Sequence, residues 1–154
     1  MIFHGSYQVT KEVETYIKAQ IDTYTAAIGV SNETTLPNVK YIGLGTDYEK
    51  KGRPQPFILV SPAAMDFDDD AYQGEVVSDL SIDCLISVDG YDSDIVLQQS
   101  MLYADALASL FFSDDQLGGI CEHAKVTRSE YYPGGSGSRH YAIVSIAVTK
   151  ETHR

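Results

Sequence analysis

The chain has 154 residues, with 22 Asp+Glu against 11 Lys+Arg and a formal net charge of −11, a balance that argues against a protein gripping nucleic acid by neutralising its phosphates. This is the length of one ordinary domain, able to bury roughly 70% of its unfolded surface, so a single domain over residues 1–154 is expected. Cys84 and Cys121 stand on either side of a predicted helix, which points to buried reduced thiols and a cytosolic setting rather than a disulfide framework. The first residues carry no basic segment followed by an apolar core, and no run approaches the roughly 18 apolar residues of a membrane span, so a soluble chain without a signal peptide is expected.

Taken in chain order, Val9, Val13, Tyr16, Ile17, Ile21, Tyr24 and Ile28 recur at helical spacing. They predict an amphipathic helix over about residues 9–28, capped by Thr10 and stopped by Gly29. Lys11, Glu14, Lys18 and Asp22 fall on its polar face, with Glu14 and Lys18 in the favourable i,i+4 order. A polar stretch from Ser31 to Pro37 precedes a short strand between Val39 and Leu44. Tyr48 to Pro56, carrying Lys50, Lys51, Gly52 and Arg53, reads as an exposed charged loop. Phe57-Ile58-Leu59-Val60 reads as a central strand ended by Pro62, and Asp66 to Gln73 as a second polar loop.

The most regular segment follows. Leu80, Ile82, Cys84, Ile86 and Val88 alternate with Ser81, Asp83, Ser87 and Asp89, and only Leu85 breaks the order. A period of two puts one face of this strand against a core and the other toward solvent, as in an antiparallel sheet. Asp92-Ser93-Asp94 offers an N-cap to a helix whose broad apolar stripe includes Ile95, Val96, Gln99, Leu102, Tyr103, Ala106, Leu107, Leu110 and Phe111, ending at Ser113-Asp114-Asp115 and Gly118-Gly119. Val126 to Tyr132 and Tyr141 to Thr149 read as two strands of a hairpin joined by the Gly/Ser segment 134–138. The expected fold is α+β: a mixed, mainly antiparallel sheet of about four to six strands with two main helices packed on it, its core over about residues 39–149.

Residues that carry chemistry are sparse. The run Asp66, Asp68, Asp69 and Asp70 lacks the glycine and glutamate of a calcium loop. It is read as a solvated loop, as an electrostatic element of an assembly, or as a metal site, in falling order. His4, His123, His140 and His153 form no ligand pair, both cysteines lack a CxxC partner, and no nucleophile elbow or phosphate loop is present. No catalytic residue, metal or cofactor is expected. Eleven tyrosines and no tryptophan fit either protein contacts or edge packing within one chain.

The N-terminal helix, the short strand pair including Phe57 to Pro62, the long strand Leu80 to Val88, the helix Ile95 to Phe111, the Gly118-Gly119 turn and the closing hairpin Val126 to Tyr131 with Tyr141 to Val148 together resemble the tail terminator (tail completion) proteins of long-tailed bacteriophages and prophages. The likeness is one of element order and covers most of the chain. It implies a virion structural protein without catalytic residues, forming a hexameric homo-oligomeric ring that caps the tail tube. Its partners would be other copies of itself, the tail tube protein and the head completion or connector protein, with DNA only as transiting cargo and no membrane. Its location would be the virion tail, and the host cytoplasm during assembly.

Under that resemblance Asp66, Asp68, Asp69 and Asp70 are expected at the lumen or ring surface, since carboxylates repel passing phosphates over a screening length of about 8 Å. Lys50, Lys51 and Arg53 are expected at subunit contacts, as are Asp83, Leu85 and Ser87 on the outer strand face. The acidic run and the Lys50 to Arg53 segment depart from the family pattern. Other readings are a different neck or tail component, such as a head–tail connector or tube protein, a small-molecule-binding domain or enzyme, and a monomeric regulatory module.

Overall fold

A computed structural model of the chain describes residues 2–50, 52–70, 74–133 and 139–153. Lys51, residues 71–73 at the end of the expected second polar loop and the Gly/Ser segment 134–138 lie outside them, and the side chains of Asp70 and Pro133 are not described. The order is α1 (Ser6–Ser31), β1 (Tyr41–Leu44), β2 (Phe57–Asp70), β3 (Glu75–Asp89), α2 (Ser93–Ser113), a 3-10 turn (Leu117–Gly119), β4 (His123–Pro133) and β5 (Arg139–His153). The strands form one five-stranded sheet in the order β1-β2-β3-β5-β4. β1 runs parallel to β2 and every other pair is antiparallel, so the chain has an α+β fold with a mixed sheet.

Both helices lie on one face of this sheet. The alternation on β3 does what a period of two requires: Leu80, Ile82, Cys84, Ile86 and Val88 are all buried, together with Ala142, Val144, Ile146 and Val148 of β5 and Ile58 and Val60 of β2. Val13, Ile17 and Ile21 of α1 and Val96, Tyr103, Leu107 and Phe111 of α2 close that core. α2 spans 21 residues and, although its sequence has no unbroken apolar run, its length and a mean hydropathy of 1.3 suffice to cross a membrane by composition. Here that apolarity serves the core. Ile95, expected in the apolar stripe, is instead 52% exposed, while its neighbour Val96 is the first α2 residue buried in the core.

Several expected boundaries shift. α1 starts at Ser6, preceded by Gly5 without a side-chain cap, so Thr10 is a buried residue inside the helix rather than its N-cap. α1 also continues past Gly29 to Ser31. Gly29 is needed for a different reason. An added Cβ would sit 2.9 Å from the Thr34 carbonyl oxygen, where the chain folds back and the Thr34 N–H donates to Gly29 O. Glu14, placed by periodicity on the polar face, is buried at 2% exposure and held by Lys18 Nζ at 2.7 Å and Lys11 Nζ at 3.4 Å.

α2 begins as its sequence predicts, with Asp92 Oδ1 accepting from the Asp94 and Ile95 N–H groups. Its exit turn needs Gly118, which sits at φ +70 in the left-handed region. The largest correction concerns β2. Asp66 to Asp70 is not a loop but the end of a 14-residue strand that passes Pro62 with a bulge and pairs with β3 out to Asp70↔Glu75.

Candidate functional site

The helices leave the second face of the sheet without a helical layer, and the registers place its side chains in rows. One row is Leu59, Leu85, Ile143 and Glu130; the next is Ser61, Asp83, Ser145 and Arg128. Farther toward the β2–β3 tip come Asp66, Asp79, Thr149 and His123. In the opposite direction lie Phe57, Ser87, Tyr141 and Tyr132. The face is thus graded from aromatic, through apolar, to acidic.

Its aromatic end is roofed by the 45–56 segment. The Tyr48 ring packs edge-on against Tyr141 at 4.8 Å between centroids, and the Arg53 guanidinium lies 5.2 Å from the Tyr41 ring centre and 5.1 Å from that of Phe57. Arg53 also donates to the Asp47 carbonyl oxygen. Arg53 is therefore engaged inside its own chain by cation–π contacts while remaining partly exposed. Ser87, in the same row as Phe57, is fully buried with its hydroxyl unpartnered, so it is closed to a neighbouring molecule. Lys50 is exposed and remains accessible.

Beyond the roof the face is open. Leu85 and Ile143 are half-buried neighbours across the β3–β5 ladder. Below them Asp83 Oδ1 accepts from the Ser145 hydroxyl at 2.7 Å, and Asp79 Oδ1 from the Thr149 hydroxyl. Tyr132 donates to Glu130 Oε2, which holds its proton and raises its pKa, while Arg128 Nε pairs with Glu130 Oε1 at 2.9 Å. The acidic run is split by the pleat. Asp66 and Asp68 pair with Asp79 and Val77 on the open face, whereas Asp69 pairs with Val76, whose side chain is on the helix side. Asp66, Asp68 and Asp69 are exposed.

The sequence singled out Leu85 as the residue breaking the alternation, but its partner Ile143 went unnoticed. Ile143 occupies a regular polar-side position of β5, and only the register joins the two. A second exposed apolar strip, Leu97, Met101 and Phe112, runs along the outer side of α2. None of these three belongs to the apolar stripe that the sequence assigns to the core.

Among the described residues, reactive groups do not converge. Ser93 Oγ lies 3.2 Å from His140 Nε2, but the buried Nδ1 of His140 has no partner and the neighbouring Asp94 and Ile95 N–H groups are already bound by Asp92. The pair therefore lacks both an orienting acid and a free oxyanion donor, and it ties the start of β5 to the start of α2. Burial pushes the Cys121 thiol up to about 11, with Glu122, Asp114 and Asp115 adding to the effect, and pushes Cys84 higher still. Both cysteines are free and buried. Among the described residues no group of three or more His, Cys, Asp or Glu side chains is placed to hold a metal. No protein-family model matches the sequence, and no curated protein matches it significantly.

Proposed function

We propose that the chain is a phage or prophage virion structural protein, a tail terminator whose copies form a ring that caps the tail tube and joins it to the head. The observation that carries the reading is the sheet face without a helical layer, where Leu85 and Ile143 stand half-exposed beside a hydroxyl and carboxylate ladder. An apolar row rimmed by polar groups is the composition of a contact surface. The element order resembles that of the tail terminators, and the net charge of −11 suits a ring through which DNA slides without being gripped.

On this reading the protein is not an enzyme and takes no cofactor. Its partners are its own copies, the tail tube protein and the head completion protein, and Asp66 and Asp68 face the bore or the ring surface. A different neck or tail component, a connector or tube protein, is the alternative within the same class. Electron microscopy of the purified protein, alone and mixed with tail tubes, separates them. Terminators give closed rings and one cap at a tube end, connectors bind the head side, and tube proteins extend the tube. A monomer at every concentration, with no density at tube ends, overturns the proposal.

A further inference from the structure

β2 runs from Phe57 to Asp70, but β1 pairs only with its first part, Phe57 to Val60. Beyond Val60 the outer edge of β2 has no strand against it among the described residues. At the opposite margin of the sheet, β4 pairs with β5 on one side and, among the described residues, has no strand on the other. Each margin is a row of backbone N–H and C=O groups that another strand can satisfy. Pro62 and the adjoining bulge interrupt only the beginning of the β2 margin.

We propose that the free edge of β2 receives β4 of a second copy, antiparallel, so that the sheet continues from copy to copy. The inference rests on the reading that the chain assembles with itself, and it adds to the open face a contact between the sheet edges of neighbouring copies. Strand directions permit it. β2 is antiparallel to β3, β3 to β5 and β5 to β4, so β4 and β2 run in opposite senses and two copies with the same face up meet antiparallel. One edge docking into a different edge is a heterologous contact, which forms a ring where the rotation between copies closes and a filament where it does not.

Charge selects the occupant. Asp66 and Asp68 stand on the open face of one edge, and Asp66 already lies directly opposite Asp79, a like-charge pair that disfavours a further acidic strand. His123, Lys125 and Arg128 stand on the same face of the other edge, opposite Thr149, Ala147 and Ser145, with Arg128 paired to Glu130 and His123 beside Asp115, which leaves Lys125 as the cation for a neighbour. Among the described residues Lys125 makes no ion pair within its chain. An acidic edge rejects its own kind and accepts the basic one.

Length and stagger agree. Within one sheet His123 is level with Thr149, Asp79 and Asp66. A neighbour moved four residues toward the tip, about 13 Å at roughly 3.3 Å per residue, sets His123 level with residue 70 and Lys125 level with Asp68. Being even, this shift keeps every side chain on its face. His123 to Tyr132 of β4 then lie along the edge over 61–70, and Pro133 falls level with Val60, the last residue that β1 pairs, so the two strands meet end to end.

The test is a charge exchange on these two exposed positions. Asp68→Lys and Lys125→Asp are made separately and followed by analytical ultracentrifugation, with circular dichroism confirming the fold. Each variant alone carries matching charges on both edges and is expected to need about tenfold more protein to assemble. Mixed in equal amounts, each supplies the edge that the other lacks, and assembly returns to the unaltered level. Rings that tolerate both substitutions, or a mixture no better than either variant, overturn the edge pairing while leaving ring formation standing. Complementation by the mixture in particles that never cap a tube keeps the pairing and overturns the terminator reading. An unaltered protein that stays monomeric at all concentrations overturns the pairing itself.

Discussion

The two faces of β3 should respond differently to the same kind of truncation. Ile82 is fully buried between the sheet and the helices, and Leu85, three positions on, is half-buried on the open face. Ile82→Ala removes methyl groups from a packed site that relaxes only partly, a loss of about 3 kcal/mol. For a chain of 154 residues, at roughly 2–4 °C per kcal/mol, the melting temperature should fall by about 6–12 °C. Leu85→Ala gives up contacts mainly with Leu59 and Ile143 and leaves room for water to enter, so about 1 kcal/mol or less is lost. Urea and thermal unfolding of both variants, followed by circular dichroism under conditions that keep the protein monomeric, measure the difference. Equal destabilisation would refute the reasoning, because it would mean that Leu85 is packed as tightly in the isolated chain as Ile82.

Two further outcomes follow from buried titratable groups. Tyr103 donates its hydroxyl to the Pro37 carbonyl oxygen, and burial raises its pKa, so its contribution is fully present below the unfolded value of about 10 and is lost as pH rises beyond it. Tyr103→Phe should lower stability by about 1 kcal/mol at pH 7 and flatten the alkaline fall, read as urea midpoints between about pH 9 and 11; an unchanged slope would count against it. The raised Cys121 pKa, about 11 against an ordinary 9.0, leaves roughly a hundredfold less thiolate. Because a thiolate of higher pKa is also more nucleophilic, Cys121 should label with a disulfide reagent at pH 8 about tenfold more slowly than a free thiol, and Cys84 only on unfolding; mass spectrometry finding Cys84 labelled first would contradict the packing.

The parts of the fold legible in sequence were those set by local periodicity. Alternation over Leu80 to Val88 named a buried face correctly at every position, and Asp92 marked the start of α2 with the hydrogen bonds that a cap makes. Both signals are written within one element. Where the answer lay in another element, the reading failed. Thr10 has the chemistry of a cap, but the N-terminal residues extend the helix one turn beyond it, and Gly29 owes its place to the backbone at Thr34 rather than to a helix stop. Glu14 follows the polar periodicity, yet it is buried with two lysines around it.

The candidate site was less legible because almost all of it is made by pairing between distant segments. An aspartate-rich run has low intrinsic strand preference, so Asp66 to Asp70 reads as a loop on its own. What extends β2 is β3, whose residues from Glu75 to Asp79 offer it a ladder and are themselves held by β5 from Thr149 to His153. The same non-local cause hides Ser87 and Arg53: the strand pattern shows an exposed serine and a charged loop, while the folded chain lays Tyr48 and Arg53 over that end of the face. This roof also limits what the face can do. By closing the Phe57, Ser87 and Tyr141 row it leaves the accessible apolar surface of the face to partly buried residues such as Leu85, Ile143 and Val77, and by extending β2 past β1 the ladder leaves its acidic edge without a strand among the described residues. Two features of this chain, a short β1 and a long β3, therefore turn a charged run that resembled a loop into an edge of the sheet.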